Sequence, residues 1–565
     1  MRVTNRKVFY LLLPLLSLAL SGCGDRNGKA LHQPPVKKKS DIDASAEWLL
    51  KKILETEKEN QPLFLDGDTL LTSPFFLPIY RNLKHCFFFK RGMLTPLGDS
   101  LLKLITNLRT YGLIPQNYHR QVIESYISKI YNRKDSTWDV NAIIQAELQM
   151  QNAYFLIGAH LNKGRFFPDS TLLEWNPNKL DSNWSELLFK GLSTAQLPLF
   201  LDSLEPHCYP YKTLKQEMNL FIHRNLHKDW NSITFSNIED TTIFLQNLKQ
   251  RLIATSDYDS IRKGSDSLKL ARGIKSFQKR MNLAPDGKLG KFTRQALGLS
   301  KEMMIRQMEM NLERWRWEKR KFPKLYVLIN IPSAEAFVFE WAKKKKCDTL
   351  VLRSNVVVGK PETPTPILDS KINYLTIYPY WKVPFSIAWK EILPMLQRDT
   401  AYLRRNNFEV MGAHSKVVDA RKIKWKKYNK SNLPYAFRQR IGADNSLGIL
   451  EFNFNNKYGV YMHDTKSKIY FKTLYRFQSH GCIRLEKYEA MAKTIIRDDT
   501  LRIPYDSLNS WLSHTEQKKV SLRKTIPIFI RYFSTTADSN GLHQYLDIYR
   551  KDEKMIQMLY PKEKT

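Results

Sequence analysis

The segment Ser479-His480-Gly481-Cys482-Ile483-Arg484-Leu485, with Tyr461-Met462-His463-Asp464-Thr465 a short way upstream, organises the reading of this chain. A cysteine directly after a glycine, with a histidine shortly before it, is the composition of a thiol nucleophile and its base. Such a thiol attacks carbonyls well when an imidazole or a dipole brings its pKa down from about 8.5. Gly481 carries no side chain beside Cys482, so a substrate carbonyl can approach the backbone N–H groups there. Arg484, two residues on, can meet a carboxylate with two parallel hydrogen bonds. The competing readings are a buried structural cysteine or part of a zinc site. His480 and Cys482 lie only two residues apart, and no CxxC or HExxH supplies further ligands.

These two segments resemble the catalytic motif of the L,D-transpeptidases of YkuD type, in which a histidine precedes a Ser-His-Gly-Cys-x-Arg segment by a similar gap. The resemblance implies Cys482 as nucleophile, His463 as base, and the N–H groups of Gly481 and Cys482 as oxyanion donors. It implies attack at the carbonyl between the third and fourth residues of a peptidoglycan stem peptide, loss of D-alanine, and a thioester on Cys482. The side-chain amine of a second stem's diaminopimelate then resolves the thioester and makes a 3→3 crosslink. Water as acceptor would make the protein an L,D-carboxypeptidase. Arg484, His480, Ser479 and Tyr461 are the expected substrate-binding residues. Each has a structural alternative: a salt bridge for Arg484, a packed ring for His480, a local hydrogen bond for Ser479, a core position for Tyr461. No metal, nucleotide or other cofactor is expected, since no Walker or Rossmann pattern is present.

The N-terminus carries Arg2, Arg6 and Lys7 ahead of a 13-residue apolar run over 8–20. That run is too short to span a bilayer and reads as a secretory signal. It ends in Leu20-Ser21-Gly22-Cys23, which looks like the lipobox of bacterial lipoproteins. The expectation is a signal over 1–22, lipidation at Cys23, and a periplasm-facing protein held by acyl chains, with the membrane unspecified. The alternative is ordinary cleavage that leaves a free thiol. Cys86, Cys208, Cys347 and Cys482 are too scattered for a disulfide scaffold.

Residues 23–45, with Pro34-Pro35 and Lys37-Lys38-Lys39, read as a flexible tether. From 46 to 252 the pattern is helical: Leu101, Leu104, Ile105 and Leu108 share a face before Gly112, and a second helix covers 146–161. This part resembles the helical scaffold domain of large family members. Residues 253–300, with Ile274, Phe277, Gln278, Leu283, Asp286-Gly287 and Ala296, match a small peptidoglycan-binding module. Residues 301–510 form the catalytic domain, with a bridging helix at 305–317 and strands at 325–331, 336–341 and 349–358. A basic hairpin tip is expected at 343–346, a less strand-like lid insertion at about 387–445, and strand again over 449–461. A helix follows at 486–497. Residues 511–565 make a C-terminal hairpin, pairing 526–532 with 543–549, and a tail. The fold class is therefore multidomain α+β: a helical scaffold, a small three-helix module, and a mainly-β catalytic domain with a lid.

Charge narrows the partners. With 90 Lys and Arg against 55 Asp and Glu, the net charge is +35. In the cytoplasm that balance would suggest nucleic acid; behind a secretion signal it favours anionic wall polymers, peptide carboxylates and lipid headgroups. Nucleic acid is not an expected partner; stem peptides and glycan are, and any protein partner is unspecified. Two SxxK matches, at Ser276 and Ser521, lack the Ser-Asp-Asn and Lys-Thr-Gly elements that would give them meaning. A non-catalytic wall tether and a cysteine peptidase remain as alternatives of other classes.

Overall fold

A computed structural model describes residues 36–560 apart from 57–60, 66, 84, 133–136, 167–182, 229, 231–240, 262, 319–321 and 343–346. The signal, Cys23 and the tether up to residue 35 lie outside the described residues, as does the basic tip at 343–346. The chain divides into two units. One comprises the described residues through 206 together with 316–318; the other is the remainder from 207.

The first unit is helical. Its elements are α1 (Ile42–Thr56), a short hairpin β1 (Leu63–Leu65) and β2 (Asp68–Leu70), α2 (Ser73–Leu83), a second hairpin β3 (Phe89–Lys90) and β4 (Met93–Leu94), then α3 (Pro96–Thr106), α4 (Arg120–Tyr131), α5 (Val140–Lys163), α6 (Trp184–Ser193) and α7 (Leu197–Leu204). Helix α5 is buried on nearly every side because α1, α2, α4, α6 and α7 all pack around it. Asp139 caps its start through the Ala142 N–H, and Gly164 ends it. The buried carboxylate of Glu147 accepts from Tyr80 Oη at 2.6 Å and from the Phe87 and Phe88 amides. That is a structural use of a buried acid, with its polar atoms satisfied.

In the second unit, α8 (Tyr209–Arg224), α9 (Thr241–Ala254), α10 (Asp266–Arg280), α11 (Lys291–Leu297) and α12 (Lys301–Arg316) precede the strands. The stretch 207–252, read from sequence as the end of the scaffold, has its Tyr211, Leu214, Met218, Leu248 and Leu252 in one core with Phe277, Trp315 and Phe529. Helical periodicity announces a buried face but not which core receives it. In the small module, Gln278 is buried: its amide donates to Asp286 Oδ1, the Lys288 carbonyl and Thr293 Oγ1, and its carbonyl accepts from Gly287 N–H. These motif residues therefore hold the turn rather than a ligand.

The β part is barrel-like. Strands β5 (Leu325–Asn330), β6 (Glu335–Ala342), β7 (Cys347–Gly359) and β8 (Leu368–Ile377) come first, and β9 (Trp381–Lys382) opens the lid. The lid continues through short helices α13 (Phe385–Ile387), α14 (Leu393–Arg398) and α15 (Ala401–Arg405) to β10 (Phe408–Met411), β11 (Val417–Val418) and β12 (Ala436–Gln439). After it come β13 (Leu450–Phe454), β14 (Met462–His463), β15 (Phe477–Ser479), β16 (Ile483–Leu485), α16 (Tyr488–Ile496), α17 (Tyr505–Ser513), β17 (Lys518–Arg531), β18 (Thr535–Asp538), β19 (Gly541–Gln544) and α18 (Lys551–Leu559). The order β7-β16-β14-β13-β8-β17-β5-β6 closes on itself, because β6 also pairs with β7; β15 joins the end of β7. Val327 and Ile329 point into the barrel, while Tyr326 and Leu328 pack under the helices. Both faces of β5 are thus covered, which explains its continuous apolar run.

Three expectations change. The lid is not poor in strands: β9, β12, β10 and β11 form their own four-stranded sheet. With strands of two to four residues, no alternation is long enough to read. The strand expected over 449–461 stops at Phe454, where the Asn456 side chain bonds to Tyr458 and Val460 and turns the chain. The hairpin expected between 526–532 and 543–549 does not form. The first segment belongs to β17, inserted between β8 and β5, and the tight turn at Ser539-Asn540 joins β18 to β19 instead.

Candidate active site

The site forms where β14 and β16 lie side by side. They run parallel, with Met462 opposite Ile483 and His463 opposite Arg484. Ile483 N–H donates to the Tyr461 carbonyl at 3.0 Å. Because strand side chains alternate, this register turns His463, Arg484 and Cys482 to the same face, while Met462 and Ile483 fill the barrel. The crossover from 464 to 482 brings base and thiol together.

His463 is buried, 4 % exposed, and its Nδ1 donates to the Asp464 carbonyl. The Leu447 carbonyl also lies against the ring. Asp464 is itself fixed: its amide donates to the Leu450 carbonyl, and its carboxylate receives Ile449 N–H and pairs with Lys468. Burial, with the Arg484 charge adding to it, pushes the imidazole down to about 3. Burial likewise pushes the Cys482 thiol up to about 11, against contacts from Tyr461 and Arg484 that favour the thiolate. Burial thus favours the neutral thiol and the neutral imidazole, whereas the sequence reading looked for a thiol brought down by its neighbours.

The nucleophile turn is built tightly. Gly481 has φ +115°, a region that favours glycine. Ser479 is 1 % exposed; its hydroxyl accepts from Gly481 N–H at 3.1 Å and donates to the Cys482 carbonyl at 2.6 Å. Ser479 thus makes the local hydrogen bonds that were its structural alternative. Gly481 N–H is thereby engaged within the turn. The Cys482 N–H has no hydrogen-bond partner among the described residues.

The other expected residues are placed as follows. Tyr461 is half-buried, with its hydroxyl side against both the Cys482 sulfur and the Trp381 side chain of the lid. Arg484 lies 5.7 Å from the Tyr470 ring and has no carboxylate partner among the described residues, so the salt-bridge alternative is not what is found. His480 is exposed and bridges to Glu391 of the lid at 2.7 Å. Two residues escaped the sequence reading. Thr365, buried in the Thr363-Pro364-Thr365-Pro366 loop, donates to the Gly481 carbonyl at 2.8 Å and accepts from Gly359 N–H at 2.8 Å. Glu451 stands directly opposite His463 on β13. Thr365 sits in a polar, proline-rich loop and Glu451 is one polar position of an alternating strand, so neither stood out in the sequence.

Comparison with known proteins follows this geometry. Residues 324–503 match the model of the YkuD L,D-transpeptidase catalytic domain, residues 78–218 a scaffold domain, and residues 244–297 a family described as "Putative peptidoglycan binding domain". A "Putative L,D-transpeptidase" from Haemophilus influenzae is 27 % identical over 285 residues, 48 % of this chain; the match spans 55 % of that relative's length. A solved structure described as "Structure of the Ldtfm-avibactam carbamoyl enzyme" is similar over 49 % of this chain and 87 % of its own. That similarity has 10 % identity and a TM-score of 0.18, and no argument rests on it. The closed β unit, the three-helix module and the helical N-terminal unit thus correspond to three recognised domains, and the chain is one that carries a YkuD-type L,D-transpeptidase catalytic domain beside a scaffold domain and a peptidoglycan-binding domain.

Proposed function

We propose that this protein is a peptidoglycan L,D-transpeptidase whose nucleophile is Cys482. The observation that carries the reading is the parallel β14–β16 register, which sets His463, with Nδ1 already engaged, on the same face as Cys482 and Arg484. His463 Nε2 takes the thiol proton as sulfur attacks the carbonyl between the third and fourth residues of a donor stem. The Cys482 N–H faces the developing oxyanion, a contact of a kind worth about 2.7–4 kcal/mol. Arg484, without a carboxylate partner among the described residues, holds a substrate carboxylate. His463 returns the proton to the departing D-alanine amine, leaving a thioester on Cys482. The amine of a second stem then forms a 3→3 crosslink. In this reading the protein faces the periplasm and is anchored through lipid on Cys23.

The test is incubation of the full chain with purified disaccharide-tetrapeptide, with Cys482→Ala alongside, and analysis by mass spectrometry. The expected product is a crosslinked dimer lacking one D-alanine, absent with the variant. Tripeptide monomer alone would reassign the activity to L,D-carboxypeptidation. No Cys482-dependent product would overturn the reading in favour of a wall tether.

A further inference from the structure

A single row of residues crosses the outer face of the barrel beside the thiol. Register pairs Arg484 with His463, His463 with Glu451, Glu451 with Thr376, and Thr376 with Lys519. Directly opposed side chains on neighbouring strands have Cβ atoms about 4.5–5.5 Å apart. Glu451 is the one acid of this row. Its neighbours on β13, Leu450 and Phe452, point into the barrel, so the carboxyl points to the same side as His463. The groups facing it are His463 from β14 and Tyr461 just before it, Thr376 from β8, Cys482 and Arg484 one strand further, and Lys519 at the end of the row.

Glu451 differs from the structural acid Glu147. Its sole hydrogen bond among the described residues is from Asn453 Nδ2, at 2.7 Å, and it makes no ion pair. A half-buried carboxylate without a cation costs stability, and an amide would meet Asn453 equally well. The carboxyl is also in electrostatic reach of both Cys482 and Tyr461. An acid held without its counter-ion beside a nucleophile is arranged for a cation that arrives with substrate.

We infer that Glu451 is the binding site for the acceptor: a primary ammonium on a peptide side chain, received as a cation beside the thioester. This rests on the transpeptidase reading and deepens its second half. The ammonium passes one proton to the Glu451 carboxylate, and the freed amine attacks the thioester carbonyl. The C–N bond forms, the C–S bond breaks, and the electron pair leaves with the Cys482 sulfur. The second amine proton passes to His463 Nε2 and on to sulfur, restoring the thiol; Glu451 releases its proton to solvent. Burial holds the Glu451 carboxyl up at about 7. Below that pH it is uncharged and has no hold on an ammonium, so crosslinking rises with pH through this range while donor acylation does not.

The test compares full-length wild type, Glu451→Gln and Glu451→Asp, each checked by thermal melting. D-alanine release and crosslinked dimer are measured separately from pH 5 to 9, with hydroxylamine, largely uncharged at neutral pH, as a second acceptor. Glu451→Gln is expected to release the first equivalent of D-alanine per enzyme, the acylation burst, at the wild-type rate and to form hydroxamate normally. Its crosslinking should fall by about 10²-fold and lose the rise through pH 7, with tripeptide accumulating; Glu451→Asp should recover part of it. Equal crosslinking in wild type and Glu451→Gln would overturn the inference and leave the transpeptidase reading intact. Equal loss of the D-alanine burst and of crosslinking would also overturn it, by moving Glu451 to the donor half. Wild type that releases no D-alanine would sink the transpeptidase reading, and the inference with it.

Discussion

At the scale of the residue, the site is held by bonds that leave the Cys482 N–H without a partner among the described residues. Ser479 and Thr365 act from opposite sides of the turn: one closes it on itself, the other ties the Gly481 carbonyl to the loop after β7. Gly359 is required there, since a Cβ would come within 2.2 Å of the Thr363 carbonyl oxygen. Thr365→Val removes one donor and one acceptor from a buried position and leaves both Gly481 O and Gly359 N–H unmatched. The expected cost is about 1–3 kcal/mol, read as a lower melting temperature. D-alanine release should fall by up to about 10²-fold as the thiol loses its aim, and Thr365→Ser should restore both. The motif itself was legible in sequence, because the spacing of His463, Gly481, Cys482 and Arg484 is a property of order along the chain. The direction of the thiol's pKa was not. It depends on how much protein surrounds the sulfur, and here burial outweighs every favourable neighbour.

At the scale of the element, the lid is a small folded body with its own core. Trp425 sits in that core with Phe437 at 5.9 Å and Tyr435 at 5.6 Å, and its indole donates to the Ala420 carbonyl. It shares no core residue with the barrel, whose cluster is formed by β5 to β8, β13, β14, β16 and β17. Trp425→Ala should therefore cost the lid about 3–5 kcal/mol and spare the barrel. Hydrogen exchange is the measurement: amides of 408–411 and 436–439 should exchange faster, those of β8 and β17 at the wild-type rate. The KM for the donor should rise as well, because Trp381 at the lid's start touches Tyr461 and Glu391 bridges to His480 beside the thiol. The elements that sequence reading placed well were those with long periods, such as α5 and β7. The lid sheet and the position of β17 were missed because pairing between distant segments leaves no local trace.

At the scale of the whole molecule, charge is the dominant property. A net +35 is spread over the chain, and the lid adds exposed Lys416, Lys422, Lys424, Lys426 and Lys427, none of them in an ion pair among the described residues. Attraction to an anionic polymer should be long-ranged at low salt. Co-sedimentation with isolated peptidoglycan should weaken steeply from 0.1 M to 1 M salt, where the screening length falls from about 10 Å to 3 Å. The amino-acid sequence by itself determined the catalytic-domain family, the order of the domains and the strongly positive charge, since motif, composition and periodicity are all written along the chain. Tertiary structure alone decided that Gly481 N–H is consumed by Ser479, that β17 completes the barrel, and that Glu451 stands across from His463. The physical reason is register. A strand pair fixes which distant residues oppose each other, and a shift of one residue would turn each of those side chains to the other face.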